Sequence, residues 1–438
     1  MKKADTSKIK SEAQAIADKI ELPRIPQQEF HPVCEQFTDI SPALNAAIRA
    51  CAGSGGGRVI VPTGSYRCNG PIQMASCVEL HFEDGAFLKF SNKLESYLPV
   101  VLTRWEGVDL YNYSPMIYGN GLHDTAITGC GIICGGRESW GTLLEQQAAS
   151  RQTVRQLEIN KVPLEERIFG DKHGLRPALI QLRNSQRVLF EGFTCIDAPM
   201  WMLHPLYCAH VTIRHVNMDS MYVCNDGIDI DSCEDVLIEN SHFRNGDDAV
   251  VLKSGRDADG LRVNRPCRRV VVRNCVFHEC LHGFAIGSEL SGGAEDIYVH
   301  DIQMEYIQRQ AISFKSAPGR GGVIRRVHAA DIRIDKNEDH VISFVSEYPG
   351  SRFGEAKTCY RDFELLNIHC SSTANGLYLE GSEEFPLENI LLENVVIDNA
   401  GKEIDAARSI GTVQFKNVSI NGKEYISQDA AVIFEKTV

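Results

Sequence analysis

The sequence predicts an all-β chain that coils into a parallel β-helix, a solenoid with an N-terminal capping helix. Three features predict this fold: a repeated eight-residue pattern, a second repeated column between its copies, and a helical segment ahead of the strands. A chain of 438 residues with 43% apolar content would ordinarily form several domains. A solenoid is the exception, because each coil packs only on its neighbours and one core runs along the whole length.

The eight-residue pattern occurs nine times between residues 188 and 420. Apolar residues mostly occupy positions 1, 3, 6 and 8, which indicates two short strands that each bury one face. The change of phase between the strands requires a bend at position 5, where Asn and Asp tolerate a left-handed backbone. The copies are VLFEGFTC (188–195), VTIRHVNM (211–218), VLIENSHF (236–243), VVVRNCVF (270–277), IYVHDIQM (297–304), VHAADIRI (327–334), FELLNIHC (363–370), ILLENVVI (390–397) and VQFKNVSI (413–420). The bends are predicted at Asn240, Asn274, Asp301, Asp331, Asn367, Asn394 and Asn417.

A second column of seven-residue segments falls between copies of the first pattern. The segments DGIDIDS (226–232), DAVVLKS (248–254), HGFAIGS (282–288), QAISFKS (310–316) and HVISFVS (340–346) align without gaps. We expect them to stack as one parallel sheet, in which neighbouring strands lie about 4.8 Å apart.

The N-terminal part of the chain differs from the repeats. Residues 1–20 predict an amphipathic helix without the apolar core of an export signal. Residues 41–57 predict a second amphipathic helix that ends in glycines. A helix at this place would cover the open end of the solenoid. We therefore expect an N-terminal extension over residues 1–40 and a β-helix domain over residues 41–438.

Charge and cysteine content narrow the possible partners. The formal net charge of −13 disfavours nucleic acid and anionic membranes, and it requires that any site for an acidic ligand be locally basic. Fifteen cysteines without regular spacing favour buried thiols over a disulfide framework. Neither a metal site nor a cofactor is predicted, because no CxxC pair exists and the Cys130–Cys134 pair lacks matching His or Cys ligands at zinc spacing.

The second column predicts a cluster of acid and base groups. If its segments stack, Asp226, Asp248 and His282 project from successive coils, Asp247 adjoins Asp248, and Lys315 lies one coil further. Repulsion among crowded carboxylates should raise the pKa of at least one, which leaves a protonated acid beside ionised bases. Hydrolysis of a glycosidic bond needs that combination. The alternative is that these aspartates cap turns of the solenoid.

The same residues carry a resemblance to a known family. The blocks CNDGIDIDS, GDDAVVLKS, HGFAIGSELSGG and SFKSAPGRGG resemble the signature blocks of the polygalacturonases, glycoside hydrolase family 28. The resemblance covers residues 40–420 and is strongest in 224–322. It implies a right-handed parallel β-helix that hydrolyses α-galacturonosyl linkages with inversion and without metal, which would make the β-helix domain catalytic. The implied substrate is an acidic pectic oligo- or polysaccharide.

The resemblance also implies roles for individual residues. Asp247 would be the general acid, Asp226 and Asp248 would hold and deprotonate the water, His282 would tune the acid, and Lys315 would bind a substrate carboxylate. Three further residues are candidate substrate ligands, and two of them have open alternatives. Asn225 adjoins the first aspartate, Arg320 could instead be a turn residue, and Glu289 could instead face solvent.

Two positions depart from the family pattern. Cys224 stands where the family has Asn, and Ser313 stands where it has an Arg that pairs with a galacturonate carboxylate. We therefore expect the leaving-group subsite to accept a less acidic sugar, such as rhamnose.

Two further segments indicate the exo-acting bacterial branch of the family. They are GSELSGG (287–293) and a polar, helix-prone insertion at 138–175 that would wall off one end of the groove. Trp140 and Trp201 could stack on sugar rings, although core packing is the more frequent role of Trp.

Two other functions remain open from sequence. A pectate-lyase-like enzyme would share the β-helix but would need Ca²⁺, and a non-catalytic carbohydrate-binding β-helix would explain the lost Arg and Asn. Localisation also has two interpretations. The resemblance implies a secreted or periplasmic protein, whereas the polar N-terminal helix and the many thiols favour the cytoplasm.

Overall fold

The computed structural model describes residues 3–349, 354–428 and 432–436. These form two compact units. The N-terminal unit comprises residues 20–237 and 245–247, and the C-terminal unit comprises the described residues of 1–19, 238–244 and 248–438. Each is built from stacked parallel strands of a right-handed parallel β-helix, as the sequence predicts. Among the described residues, no helix has the length and apolar character that crossing a membrane would require.

Helices make up a small part of the chain. The α-helices are α1 (Ser7–Ala17), α2 (Ser41–Gly53), α3 (Leu144–Gln156) and α4 (Asp257–Val263), and 3-10 helices span Leu94–Tyr97, Arg137–Leu143 and Leu164–Glu166.

Strands β1 to β18 lie in the N-terminal unit, and β19 continues from it into the C-terminal unit. They are β1 (Glu29–Phe30), β2 (Gly57–Val61), β3 (Gly64–Cys68), β4 (Ile72–Gln73), β5 (Val78–Phe82), β6 (Ala86–Phe90), β7 (Val101–Trp105), β8 (Val108–Asn112), β9 (Ile117–Asn120), β10 (His123–Gly129), β11 (Ile132–Cys134), β12 (Ile180–Arg183), β13 (Gln186–Glu191), β14 (Thr194–Ile196), β15 (Leu203–Leu206), β16 (Ala209–Arg214), β17 (Asn217–Ser220), β18 (Ile228–Asp231) and β19 (Glu234–Glu239).

The remaining strands belong wholly or mostly to the C-terminal unit. They are β20 (His242–Lys253), β21 (Cys267–Gly287), β22 (Ala294–Ile307), β23 (Ile312–Lys315), β24 (Val323–Val345), β25 (Cys359–Cys370), β26 (Thr373–Glu380), β27 (Glu388–Ile397), β28 (Ala400–Arg408), β29 (Val413–Lys416), β30 (Val418–Ile420), β31 (Lys423–Gln428) and β32 (Val432–Lys436).

The predicted register of the eight-residue pattern is confirmed within each unit. In the N-terminal unit the first residues of two copies, Val188 and Val211, are parallel partners. In the C-terminal unit six successive copies stack on their first residues, because each apolar position then meets the same position of the next coil. These first residues are Val270, Ile297, Val327, Phe363, Ile390 and Val413.

All seven predicted bends adopt the left-handed conformation, with φ between 51° and 57°. Consecutive bends are also joined by hydrogen bonds. The side-chain amide of Asn367 donates to Asp331, that of Asn394 to Asn367, and that of Asn417 to Asn394, at 2.8 to 2.9 Å. The bends therefore form a polar ladder as well as a series of corners.

A second series of left-handed corners stands directly before position 1 of the pattern, and sequence reasoning missed it. Its φ values lie between 53° and 62°. Arginine fills some of these places, and its side chain does not favour the left-handed region. The residue types therefore carry little signal for this corner. Its members in the C-terminal unit are Arg269, Asp296, Arg326, Asp362 and Asn389.

The second predicted column stacks in the C-terminal unit. Phe284 pairs with Ile312, and Ile312 pairs with Ile342, so the segments that begin at 282, 310 and 340 lie in the expected register. In the same ladder Gly287 pairs with Lys315.

Both N-terminal helices form, but they have different roles. Helix α2 packs against β2, β4 and β5 in the N-terminal unit, as expected of a capping helix. Helix α1 lies against β21 and β22 in the C-terminal unit. There the Lys10 ammonium lies 2.8 Å from the carboxylates of Asp301 and Asp331, two residues of the polar ladder. The domain boundary at residue 40 stays a prediction; strand β1, which precedes it, pairs with β2.

The predicted insertion is helical and contributes to a separate hydrophobic cluster. Side chains of α3 and its C-terminal continuation pack there with the β7–β8 hairpin and with Trp201. Trp140 and Trp201 are both buried, so their core role is confirmed. All fifteen cysteines are unbridged thiols, and most are buried, also as predicted.

Candidate active site

Asp226 lies at the entrance to β18 in the N-terminal unit and is 2% exposed. Its backbone carbonyl accepts a hydrogen bond of 2.9 Å from the Met202 amide on the neighbouring coil. Cys224, two residues earlier, has a left-handed backbone with φ of 60°. Burial, with the nearby Asp247 carboxylate, raises the pKa of Cys224 to about 12, so this position holds a neutral thiol.

Asn245 joins the segments that carry Asp226 and Asp247. Its side-chain amide donates to the backbone carbonyl of Asn225 at 3.1 Å and to that of Asp247 at 3.0 Å. One buried amide thus brings together the two predicted catalytic aspartates of the N-terminal unit. Sequence reasoning missed Asn245, although its place two residues before the Asp-Asp pair was available as a signal.

Asn225 does not fit its predicted role as a substrate ligand. The residue is fully buried. Its amide nitrogen donates to the carbonyls of Ala198 and Met200, and its amide oxygen accepts from the Ser220 hydroxyl at 2.5 Å. Both donors are therefore used inside the protein. Asn225 anchors the loop that carries Asp226, and the prediction of a sugar contact is wrong.

Two arginines that flank the insertion, Arg137 and Arg176, hold the loop of residues 221–225. The Arg137 guanidinium donates to the Met221 carbonyl at 3.1 Å, and Arg176 donates to the Val223 carbonyl at 3.1 Å. Both guanidinium groups also lie over the Tyr222 ring, at 5.6 and 5.9 Å from its centroid. Cys224 packs against the hydrophobic cluster beneath. The residues that flank the insertion therefore fix the segment that immediately precedes Asp226.

Asp248 and Lys315 form a buried ion pair in the C-terminal unit. The Lys315 ammonium donates to both carboxylate oxygens of Asp248, at 2.8 and 2.9 Å. Burial alone would raise the pKa of Asp248, but the positive charges of Lys315 and Lys253 outweigh burial and hold the pKa below its usual value. Asp248 is therefore ionised over the ordinary pH range, as a base must be.

His282 lies beside this pair and is uncharged. A ring nitrogen of His282 lies within 4.8 Å of an Asp248 carboxylate oxygen. Burial is the main cause that lowers the pKa of His282 to about 3, and the charges of Lys315 and Arg309 add to it. Its Nδ1 atom is buried and makes no hydrogen bond to any residue that the structure describes. The imidazole is thus a neutral group with one nitrogen still to be satisfied.

A cavity of about 350 Å³ opens at His282 and Lys315. No carboxylate is among the described residues that line it, whereas two cationic side chains, Lys315 and Arg309, are. The requirement for a locally basic site in a chain of net charge −13 is met here. The lining residues are His282, Arg309, Gln310, Ser313, Lys315, His340, Val345, Tyr348, Pro349 and Tyr378.

Glu289 and Arg320 belong to a buried ionic network of the C-terminal unit. The Glu289 carboxylate pairs with Arg256 and lies 3.4 Å from the Lys253 ammonium. Arg320 donates to the Asp257 carboxylate and, at 2.6 Å, to the Ser288 carbonyl.

The burial of Glu289 decides between the two roles that the sequence left open for it. Glu289 is 6% exposed, so the alternative that it faces solvent is wrong. Burial would raise the pKa of Glu289, yet Lys253, Arg256 and Arg320 hold it well below its usual value. Glu289 and Arg320 both brace the loops around them, and their contact with substrate stays a prediction.

Metal binding is a poor fit for the donors at this site. Asp248 and His282 are close enough to share an ion, but both Asp248 oxygens already accept hydrogen bonds from Lys315. A bound cation would have to lie beside that ammonium, which electrostatic repulsion opposes.

Comparison with known proteins places the chain in a family. Residues 169–422, more than half of the sequence, match the family model described as glycosyl hydrolases family 28. The chain belongs to glycosyl hydrolase family 28. It is therefore a glycoside hydrolase, and the resemblance found in the sequence is confirmed.

The chain is also similar over most of its length to solved and curated proteins. A hyperthermoactive exopolygalacturonase from Thermotoga maritima is 32% identical with a TM-score of 0.89, and the match covers 98% of both chains. A probable polygalacturonase from Vitis vinifera is 26% identical over 80% of this chain and 68% of the relative. A family 28 exopolygalacturonase from Yersinia enterocolitica, 17% identical with a TM-score of 0.63 over 91% of this chain and 79% of that chain, shares the fold.

Proposed function

We propose that this family 28 hydrolase is an exo-acting polygalacturonase, which removes galacturonosyl residues from the ends of pectic chains. The observation that carries the proposal is the ionised Asp248, paired with Lys315 beside a cationic cavity. A base held in its charged form next to a site for an acidic sugar suits hydrolysis of a uronic acid linkage. Similarity to exopolygalacturonases and polygalacturonases supports the substrate class.

The proposed mechanism is a single displacement with inversion. Asp247 gives its proton to the glycosidic oxygen, and the bond between that oxygen and the anomeric carbon breaks. The family resemblance assigns the attacking water to Asp226 and Asp248. That water forms the new bond from the opposite face of the sugar and gives its proton to one of these carboxylates. His282, neutral because its pKa is about 3, adjusts the acid by hydrogen bonding and not by charge.

Exo action is supported by the insertion. Arg137 and Arg176, which flank the insertion, bind the loop at residues 221–225, and the insertion contributes to the hydrophobic cluster against which Cys224 of that loop packs. A bulky segment at that place would prevent a polymer from extending past the reacting bond. The names of the Thermotoga and Yersinia relatives agree with this proposal.

Two further parts of the proposal concern partners and localisation. The protein acts outside the cytoplasm, secreted or periplasmic, where polymeric pectin would be encountered. Nucleic acid is not a partner, because a protein of net charge −13 repels the negatively charged phosphate backbone. Cell fractionation checks the first statement, and recovery of the protein only with cytosolic markers would contradict it.

Product analysis tests the function. The wild-type protein should release galacturonic acid from oligogalacturonate as the main early product, without new absorbance near 235 nm. Asp247→Asn should abolish this release while the melting temperature is unchanged. A mixture of long oligomers early in digestion would exclude exo action, new absorbance near 235 nm would indicate a lyase, and the absence of any product would favour a binding protein.

A further inference from the structure

Ser313 leaves the cavity without the arginine that the family pattern leads one to expect. Its side chain is buried on β23, and its hydroxyl accepts a hydrogen bond of 3.0 Å from Ser343 on the next coil. A hydroxyl in this position cannot form the charged, two-pronged contact that a guanidinium makes with a carboxylate. Taken alone, Ser313 predicts a weaker preference for an acidic leaving group.

Arg309 places a guanidinium at the wall of the same cavity. It lies in the turn between β22 and β23, four residues before Ser313, and its side chain is exposed at the cavity wall. Its backbone amide donates to the Leu281 carbonyl at 2.7 Å, which places Arg309 beside the residue that precedes His282. A side chain from the adjoining turn therefore occupies the wall that Ser313 leaves uncharged.

The Arg309 guanidinium is available to a ligand. Among the residues that the structure describes, it has no ion pair and no side-chain hydrogen bond. The nearby Asp339 is already engaged by Gln310 at 2.5 Å and by His340 at 2.7 Å. By contrast, Lys315 is neutralised by Asp248. The Arg309 charge helps to lower the pKa of the nearby Asp339, but its guanidinium has no direct partner among the described residues and lies in a cavity whose described lining includes no carboxylate.

We propose that Arg309 binds the carboxylate of the leaving-group sugar and so replaces, from a different turn, the arginine that is absent at Ser313. The inference rests on the proposed function, since it assumes that this cavity receives a uronic acid. It reverses the expectation drawn from Ser313: the leaving-group subsite prefers galacturonate over rhamnose. Arg309 is a specificity-determining residue and takes no part in proton transfer.

The test compares two substrates that differ only in the leaving group. Wild type and Arg309→Gln are assayed on digalacturonate and on galacturonosyl-rhamnose. The variant should lose about 10- to 100-fold in kcat/KM on digalacturonate, the range for one charged hydrogen-bonding contact, and less than about threefold on the rhamnose substrate. Ser313→Arg, added to Arg309→Gln, should restore activity on digalacturonate because it returns the charge to the same cavity.

Two controls make the outcome decisive. Arg333→Gln removes an exposed arginine whose partner is Asp335, at 3.0 Å, and should leave both activities unchanged. Equal melting temperatures of wild type and Arg309→Gln would verify the fold. If Arg309→Gln loses equal kcat/KM on both substrates, or none on digalacturonate, the inference is overturned. The proposed polygalacturonase function would still stand in that case, because the wild type hydrolyses digalacturonate. If the wild type hydrolyses neither substrate nor any oligogalacturonate, the proposed function itself fails.

Discussion

Lys315 donates to both carboxylate oxygens of Asp248, and the two side chains are almost completely buried. The two residues are 67 positions apart in the sequence. Two charges out of water are stable only as a pair, since each alone would carry a large desolvation cost. The pairing therefore ties the ionisation of the proposed base to the presence of one lysine.

Lys315→Met should reduce both activity and stability. We expect kcat/KM on oligogalacturonate to fall by about 100-fold or more, as for other lost charged contacts in active sites. The free energy of unfolding at pH 7 should fall by about 3–5 kcal/mol, because Asp248 is left buried and unpaired. Asp248→Asn combined with Lys315→Met should be more stable than Lys315→Met alone. If the double variant is equally unstable, the pair does not behave as described.

The same pair predicts a direction of pH dependence. The pKa of Asp248 is depressed in the folded protein, so its stabilising contribution is complete above the ordinary carboxyl pKa and is lost as pH falls through the depressed value. Loss of Lys315 removes the main charge that lowers this pKa. The acid limb of the kcat/KM profile should therefore move to higher pH in Lys315→Met and stay in place in the exposed control Lys336→Met.

His282 should make the folded protein sensitive to acid. Its pKa falls from an ordinary 6.5 to about 3, so the unfolded chain binds a proton between these values and the folded chain does not. Stability contributed by this residue is complete above pH 6.5 and declines as pH falls toward 3. His282→Gln should therefore lose less melting temperature than wild type between pH 7 and pH 4. The exposed His31→Gln should follow the wild type, and identical curves for all three proteins would contradict the prediction.

Variants of Asn367 can separate two contributions of a bend residue to stability: its tolerance of a left-handed backbone and its side-chain hydrogen bonds. It has a left-handed backbone with φ of 54°, and its amide donates to Asp331 and to the Ala4 carbonyl. Asn367→Ala loses both the backbone tolerance and the hydrogen bonds, at a cost of about 2–4 kcal/mol. Asn367→Gly keeps the tolerance and should cost less. Denaturant unfolding measures the difference, and equal losses would mean that backbone strain has no share.

Arg137 should affect catalysis more than stability. Its side chain is partly exposed, so its contacts contribute less than about 1 kcal/mol to the free energy of unfolding. It nevertheless holds the carbonyl of Met221 in the loop that leads to Asp226. Arg137→Ala should lower kcat about tenfold with little change in KM, because a loosened loop misplaces the water-holding carboxylate. The exposed Arg24→Ala is the matched control, and unchanged kcat in Arg137→Ala would exclude a positioning role.

The repeat and its corners could be predicted because they depend on local residue types. Apolar residues at fixed spacing define which face of each strand is buried, and Asn or Asp marks a left-handed bend, as at Asn274 and Asn394. The corner before most copies, with Arg269 and Arg326, was missed because stacking on neighbouring coils imposes its backbone against the preference of the side chain.

The candidate site was predictable only in part, for a related reason. Asp248 and His282 begin segments of the second column, and Lys315 lies five residues along the next segment, so register alone associated them. The residue type of Asn225 is compatible both with a sugar contact and with hydrogen bonds inside the protein. Only the fold shows that its amide is fully used by two backbone carbonyls and one hydroxyl. Arg309 lies in a turn, outside any aligned column, and no sequence signal connects it to the cavity.

The sequence by itself determined the coil, its register and the family of the protein, because these follow from periodic burial and from motifs that are contiguous in the chain. The tertiary structure alone decided which charges face each other: Lys315 toward Asp248, Arg320 toward Asp257, and Arg309 toward an open cavity. The physical reason is that ionisation and ligand preference depend on distances and burial between side chains far apart in sequence. Spacing along the chain does not contain those distances.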